Sequence, residues 1–373
     1  MYQAVGDPDR TVSGARTLYA VKTWRGLVAL AVVMVLAACG GTAEPRWHTP
    51  AAGAVAPSVL PSAAPASEIT LAFAGDVHFT ERTLKLLDHP ETAFGPMAEQ
   101  LRDADFAMVN LETAVTSRGT PQPKTYHFRA PTSAYTALRS AGIDAVSIAN
   151  NHTLDYGQVG LLDTLDSARA AGFPVVGAGH NTEEAYLPLL TNVRGVRVAV
   201  VAMSQVHELS EQWKPTDTRP GIAMAFDLAK ATAAVQAARK QADVVIVFMH
   251  WGVEGSSCPN AEMKNFAAKM SAAGADIMLG SHAHVLLAGG YLGSTYVHYG
   301  LGNFLWYGTS HSTDSGVLRL TVRARQVVQT EFVVGTVSST GQPVPLTGAA
   351  EKAIRDKLAT AAKCTGLAAA PTG

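Results

Sequence analysis

From about residue 69 onward, short apolar runs alternate with longer stretches in which apolar side chains recur at helical spacing. The runs 69–74, 106–109, 145–148, 175–176, 196–202, 244–249 and 276–279 read as strands, and 93–102, 132–140, 157–170, 260–273 and 349–362 read as helices. In 157–170, Leu161, Leu162, Leu165 and Ala168 share one face. Asp227 caps a further Ala-rich helix ending near Gln241. The stretch 244–249 is almost continuously apolar, as a central strand covered on both faces must be. Residues 291–299 have the layout of a hairpin turning at Gly293-Ser294, and two more strands follow Gly316 to about residue 334. This alternation predicts an α/β fold with mainly parallel strands and helices outside. The β content late in the chain predicts a second sheet packed on the first.

The first 67 residues follow a different pattern. Arg16, Lys22 and Arg25 precede the apolar run 27–38, which is short for a membrane-spanning helix and has the layout of an export signal. It ends Leu36-Ala37-Ala38-Cys39-Gly40, which resembles the bacterial lipoprotein cleavage box. That resemblance makes Cys39 the lipidated N-terminus of a protein anchored to the outer face of the cytoplasmic membrane. An ordinary secretion signal is the alternative. Residues 40–67 are rich in Ala, Pro, Gly, Ser and Thr and too poor in large apolar side chains to bury a core, so they read as a tether. The domain expectation is therefore 1–39 signal peptide, 40–67 tether, and one folded domain over 68–373.

Composition changes this picture in two ways. The formal net charge is −1, and with no Lys/Arg run and no basic-aromatic interleaving a nucleic-acid partner is excluded. Besides Cys39 the chain has only Cys258 and Cys364. In an exported protein such a pair favours a disulfide, joining the last helix to the loop after the 244–249 strand, with two inert thiols as the alternative.

Candidate chemistry gathers where strands end. Asp76-Val77-His78, Asn110-Leu111-Glu112, Asn150-Asn151-His152, His250 and His282-Ala283-His284 follow one another along the chain, most of them directly after an apolar run. On extended backbone, residues two apart share a face, so Asp76 with His78 and His282 with His284 can each chelate. Asp155, about one turn after His152, is placed to accept a proton from its imidazole. Oxygen and imidazole ligands without cysteine, more numerous than one tetrahedral ion needs, suit two divalent ions. In an open α/β fold these strand ends form the usual ligand crevice.

Taken in order, the motifs resemble the calcineurin-like metallophosphoesterase superfamily. Their wording is closer to its capsule-synthesis CapA branch: Ala74-Gly75-Asp76, Asn110-Leu111-Glu112-Thr113, Asn150-Asn151-His152-Thr153-Leu154-Asp155-Tyr156-Gly157, His250-Trp251-Gly252-Val253-Glu254 and Tyr299-Gly300-Leu301-Gly302-Asn303-Phe304. One departure is Ser281-His282-Ala283-His284, where the branch usually has His-His-Pro-His. The resemblance implies a four-layer αββα sandwich with the site at strand C-terminal ends. It also implies a pair of Mn, Zn or Fe ions, one held by Asp76, His78 and His284, the other by Asn151, His250 and His282, with Glu112 between them. His152 would then act on the substrate, held by Asp155.

Weaker candidates surround this set. Lys124, Tyr126, His127 and Arg129 form a loop cluster that either grips an anionic substrate or is a solvated loop with Phe128 tucked inward. Glu254 and Asn303 are expected to support the ligands, Glu254 by orienting His250. Trp251 reads as a packing residue, and His180, His207, His298 and His311 as structural or exposed. Two function classes follow: a metal-dependent hydrolase of phosphate esters acting outside the membrane, and a non-catalytic or differently catalytic part of a membrane-bound machine for poly-γ-glutamate or a related anionic envelope polymer.

Overall fold

A computed structural model describes residues 67–309 and 311–372. The expected signal peptide, Cys39 and the tether as far as residue 66 lie outside the described residues. Among the described residues, two large sheets form the body. In the first, Glu68–Val77 pairs in parallel with Phe106–Leu111, which continues in parallel through Ala145–Ser147 to Val175–Val176. On the opposite side of Glu68–Val77 lie the antiparallel strands Asp314–Arg323, Gln326–Val337 and Pro343–Pro345. The second sheet runs Leu286–Leu292, Thr295–Leu301, Ile277–His282, Val244–Trp251, Val196–Ser204, Leu189–Val193; its inner pairings are parallel and both edge strands antiparallel.

Strand alternation explains how the sheets stack. Ile69, Leu71 and Phe73 pack with Val198, Val200, Ile246 and Phe248 in one apolar layer between the two sheets. Their neighbours Ala72, Ala74 and Val109 face the other way, under Leu138 of helix Ser133–Ser140 and Leu161 of helix Gly157–Ala171. On the far side, Ala199, Val201, Val245 and Val247 pack beneath Val235 of helix Leu228–Arg239 and Phe266 of helix Ala261–Ala273. Three apolar layers thus separate helix, sheet, sheet and helix, the expected αββα sandwich. Phe73 and Phe248 are fully buried in the middle layer, where truncation to Ala would cost roughly 3–5 kcal/mol.

Three details differ from the sequence expectation. Of the late β content only the strands up to residue 301 join the second sheet; those after Gly316 complete the first, because Asp314–Arg323 finds its partner in Glu68–Val77. The helix expected over 93–102 is broken into a 3-10 turn Gly95–Met97 and a short helix Ala98–Arg102; Gly95 adopts φ +56°, and Pro96 follows it. Leu189–Val193, partly exposed and only half apolar, was not expected as a strand; it forms a hairpin with Val196–Ser204 through Arg194-Gly195, both at positive φ. The 291–299 turn is as expected, with Leu292 opposite Thr295.

Register brings the chemistry to one level. Asp76 lies beside Asn110 and Asn303, Asn110 beside Ser147, and His250 beside Ser281. At the same end a Cys258–Cys364 disulfide, Cα atoms 5.8 Å apart, joins the end of helix Gly348–Thr365 to the loop after Val244–Trp251.

Candidate metal centre

The first sheet contributes Asp76 and His78 from the end of Glu68–Val77, Glu112 just after Phe106–Leu111, and Asn151 and His152 from the turn after Ala145–Ser147. The second contributes His250, His282 and His284. All seven expected ligands are buried, none more than 6% exposed, a depth at which an unpaired charge or lone pair is costly. His282 and His284 sit at φ +86° and +55°. A left-handed conformation costs a non-glycine residue about 1–3 kcal/mol and persists where the surroundings impose it. Here the His282 N–H donates to Asp76 Oδ2 at 3.1 Å, tying the turn of one sheet to the carboxylate of the other. Gly280 serves strand packing: a Cβ there would stand 2.3 Å from Trp251 Nε1 and 2.0 Å from the Tyr299 carbonyl oxygen.

His250 has partners at both ring nitrogens. Nδ1 meets Ser281 Oγ at 2.9 Å, whose hydroxyl also reaches the Met249 carbonyl at 3.1 Å, and Asn110 Nδ2 at 3.2 Å. Nε2 faces Asn151 Oδ1 at 2.8 Å, His282 Nδ1 at 3.2 Å and Glu112 Oε1 at 3.4 Å. Burial and His250 push the His282 imidazole well below the usual histidine range. Both Glu112 oxygens and both His78 ring nitrogens are buried without a hydrogen-bond partner. His284 Nδ1 meets Asn303 Oδ1 at 2.9 Å and Asp76 Oδ2 at 3.3 Å, which leaves Nε2 open. Ligand atoms of Glu112, His282 and His284 lie within 4.8 Å of one another, as do those of Asp76, Glu112 and His250. Glu112 is common to both groups, and His78 enters neither.

Electrostatics agree with a site built for positive charge. Burial and the neighbouring Asp76 carboxylate hold Glu112 well above the usual carboxylate range. Burial would also raise Asp76, but the adjacent His284 and His250 hold it low. Burial pulls His284 down, yet Glu112 and Asp76 lift it to about 9. Burial drives His250 down to about 3. Two carboxylates among four imidazoles and an amide oxygen match the hard and borderline donors that divalent ions prefer.

His152 stands apart from these donors. Its Nδ1 meets Asp155 Oδ2 at 2.7 Å, its ring stacks on Phe128 with centroids 4.0 Å apart, and Nε2 points toward Glu112 Oε1 at 3.8 Å. Asp155 Oδ2 also accepts the Phe128 N–H at 2.6 Å. Burial raises Asp155 to about 7 against the pull of Lys124, and burial, reinforced by Lys124, keeps His152 neutral.

A profile of the family described as bacterial capsule synthesis protein PGA_cap matches residues 70–307, which span every one of these residues. The chain belongs to that family. It is 28% identical over 295 residues to the capsule biosynthesis protein CapA of Bacillus anthracis, covering 76% of this chain and 71% of that one. It is also 28% identical over 257 residues to the PGA biosynthesis protein CapA of Bacillus subtilis strain 168, covering 67% of each. Among solved structures, a phosphatase from Mycoplasma pneumoniae aligns with TM-score 0.46 and 14% identity over 72% of this chain and 94% of its own.

In this PGA_cap chain several supporting residues sit elsewhere than expected. Lys124 is not free to grip a substrate: its side chain is 2% exposed, and Nζ reaches Glu208 Oε2 at 2.8 Å, Asp155 Oδ1 at 3.0 Å and the Asn151 carbonyl oxygen. Arg129 lies over the Tyr156 ring, 3.4 Å from its centroid, and donates to the Arg118 carbonyl, away from the centre. Glu254 does not orient His250, a task that Ser281 performs; it pairs at 3.2 Å with His311, whose ring stacks on His284. Asn303 lies beside a ligand as expected, and Trp251 is fully buried. Phe128 is tucked inward.

Sequence reasoning missed four features. Ser281 was visible only as a departure from the branch's wording, and its hydroxyl contact explains why a serine serves there. Asn110 holds Asp76 Oδ1 at 2.8 Å and is itself held by Asn150 at 3.0 Å; both stand inside the quoted motifs. The Trp306 and Tyr307 rings lie 4.3 and 4.7 Å from the His78 ring, just past the last motif. Glu208 belongs to no motif at all.

Proposed function

We propose that this PGA_cap protein is a metal-dependent hydrolase of capsule or related envelope-polymer synthesis, exported and lipid-anchored through Cys39. Its substrate in this reading is an anionic polymer or a phosphate ester. One observation carries the proposal: carboxylates and imidazoles from both sheets converge around Glu112, where both Glu112 oxygens and both His78 ring nitrogens are buried without a hydrogen-bond partner, a need that bound cations would meet. Asp76, His78 and His284 would hold one divalent ion, Asn151, His250 and His282 the other, with Glu112 between them. Manganese, zinc or iron in that position would supply a water acidified to near neutrality and charge for the developing oxyanion. The protein supplies the rest. Asp155 holds the His152 imidazole by Nδ1, so Nε2 faces the space beside Glu112. An arriving anion favours protonation of that imidazole, which then gives its proton to the leaving atom, a contribution of roughly 10²- to 10⁴-fold. Phe128 and Trp306 wall the histidines with apolar rings and thin the water around them.

The test is elemental analysis of protein purified without chelator, followed by assays with added manganese, zinc or iron. Phosphate mono- and diesters are run beside amide hydrolysis of polyglutamate. Two ions per chain and metal-dependent turnover on one of these substrates are expected. A chain that takes up no metal ends the reading; one that binds two ions yet turns over nothing, while a ligand variant still supports capsule formation, leaves a scaffold.

A further inference from the structure

We infer that Glu208 is a positioning residue of the centre: it decides which end of the Asn151 side chain faces the ions, an inference that rests on the two-ion reading above. Glu208 lies in the turn after Val196–Ser204, with its side chain 39% exposed. Its carboxylate can only accept, so the Asn151 group that meets Oε2 at 3.1 Å must be Nδ2. The amide then has no freedom left: Oδ1 is turned to His250 Nε2 at 2.8 Å. Flipped, the amide would set its oxygen against the Glu208 carboxylate and its two N–H hydrogens into the space between His250, His282 and Glu112. A donor there excludes a cation. The carboxylate is held in turn, because Lys124 Nζ reaches the same Oε2 at 2.8 Å while contacting the Asn151 carbonyl oxygen. Lys124, Glu208 and Asn151 form one chain of contacts whose outer end is on the surface and whose inner end is a ligand oxygen. Partners of metal ligands at this remove typically matter 10- to 100-fold in metal affinity.

The inference is tested by manganese titration against a competing chelator, with melting temperature as the folding control. Glu208→Ala should weaken uptake of one of the two ions by roughly 10- to 100-fold and leave the other near wild type. Glu208→Gln, which keeps an acceptor oxygen, should bind close to wild type. The decisive comparison is a reversal. Asn151→Asp alone sets two carboxylates against each other and should weaken binding. Asn151→Asp combined with Glu208→Ala should bind better than either single variant, because a carboxylate has no donor end to misplace. Should Glu208→Ala fail to fold, Asn151→Asp with and without Glu208→Gln carries the same sign, since the Gln amide can donate to the new carboxylate. Unchanged binding in Glu208→Ala, or a combined variant no better than the single ones, overturns the inference alone. A wild-type chain that binds no manganese ends it together with the reading it rests on.

Discussion

Replacing Lys124 by Met separates two roles that its position in a loop leaves open. If the ammonium grips substrate, the variant should fold as well as wild type and bind substrate worse. The structure argues the reverse. The side chain is 2% exposed, and its Nζ lies 2.8 Å from Glu208 and 3.0 Å from Asp155, so Met leaves both carboxylates without their cation. Breaking a buried pair costs about 3–5 kcal/mol. Glu208 is partly solvated and recovers some of that, which places the expected loss near 3 kcal/mol, on the order of 5 °C in melting temperature for a domain of this size. The deficit should also depend on pH. Asp155 already sits at about 7 with Lys124 beside it, and without the ammonium it rises further. The folded variant therefore binds a proton that the unfolded chain releases near pH 4, so its stability falls as pH rises through 7. Thermal melts at pH 6 and 8 should show the gap to wild type widening at pH 8. A melting temperature within 2 °C of wild type at both values, with a raised KM, would refute this account.

His152→Ala should keep its metal and melting temperature while turnover falls roughly 10²- to 10⁴-fold; Glu112→Ala should lose metal and activity together, and elemental analysis of the two side by side checks the division of roles. His298 is buried between Tyr296 and Phe332, and burial alone depresses it to about 4. Because the unfolded chain takes up this proton first, near pH 6.5, stability present above 6.5 should drain by about 3 kcal/mol on acidification to pH 4; His298→Gln should flatten that part of a urea-unfolding series, and an identical slope in both proteins would count against it. Cys39→Ser should abolish lipid labelling in cells and leave the precursor unprocessed, whereas continued labelling removes the anchor.

Much of this arrangement was legible in the chain because strand ends and ligands coincide. Asp76 and His250 stand one or two residues past the end of an apolar run and Glu112, Asn151 and His284 within five, and parallel register carries that local fact into three dimensions. The sheet assignment of the late strands was not legible. Asp314–Arg323 has the same alternation whichever sheet it joins, and only long-range pairing with Glu68–Val77 decides. Neither reading of the loop 121–130 accounts for Lys124, for a related reason, although Phe128 is tucked inward as the second had it. Lys124 and Arg129 look alike as exposed loop cations, but burial against Glu208 and stacking on Tyr156 depend on segments about 30 to 80 residues away. Ser281 shows the limit most sharply: a residue that looked like a loss from the motif supplies an oxygen 2.9 Å from His250 Nδ1.

The Cys258–Cys364 bond closes a loop with sequence separation 106 and ties the last helix to the segment carrying Glu254, which pairs with His311 over His284. A cross-link across roughly 100 residues removes about 4.7 kcal/mol of unfolded-chain entropy in the simplest treatment. The rim of the centre is thereby sensitive to where the protein finds itself. In a reducing cytosol the helix would keep its apolar contacts, the Lys357–Asp314 pair and its hydrogen bonds with Phe332 and Lys264, but the outer wall beside His284 would lose its covalent tie; in an oxidising compartment the bond closes. Material produced in the cytoplasm of an expression host would carry the same sequence and the same site residues, yet differ at that edge from protein folded where the bond can form.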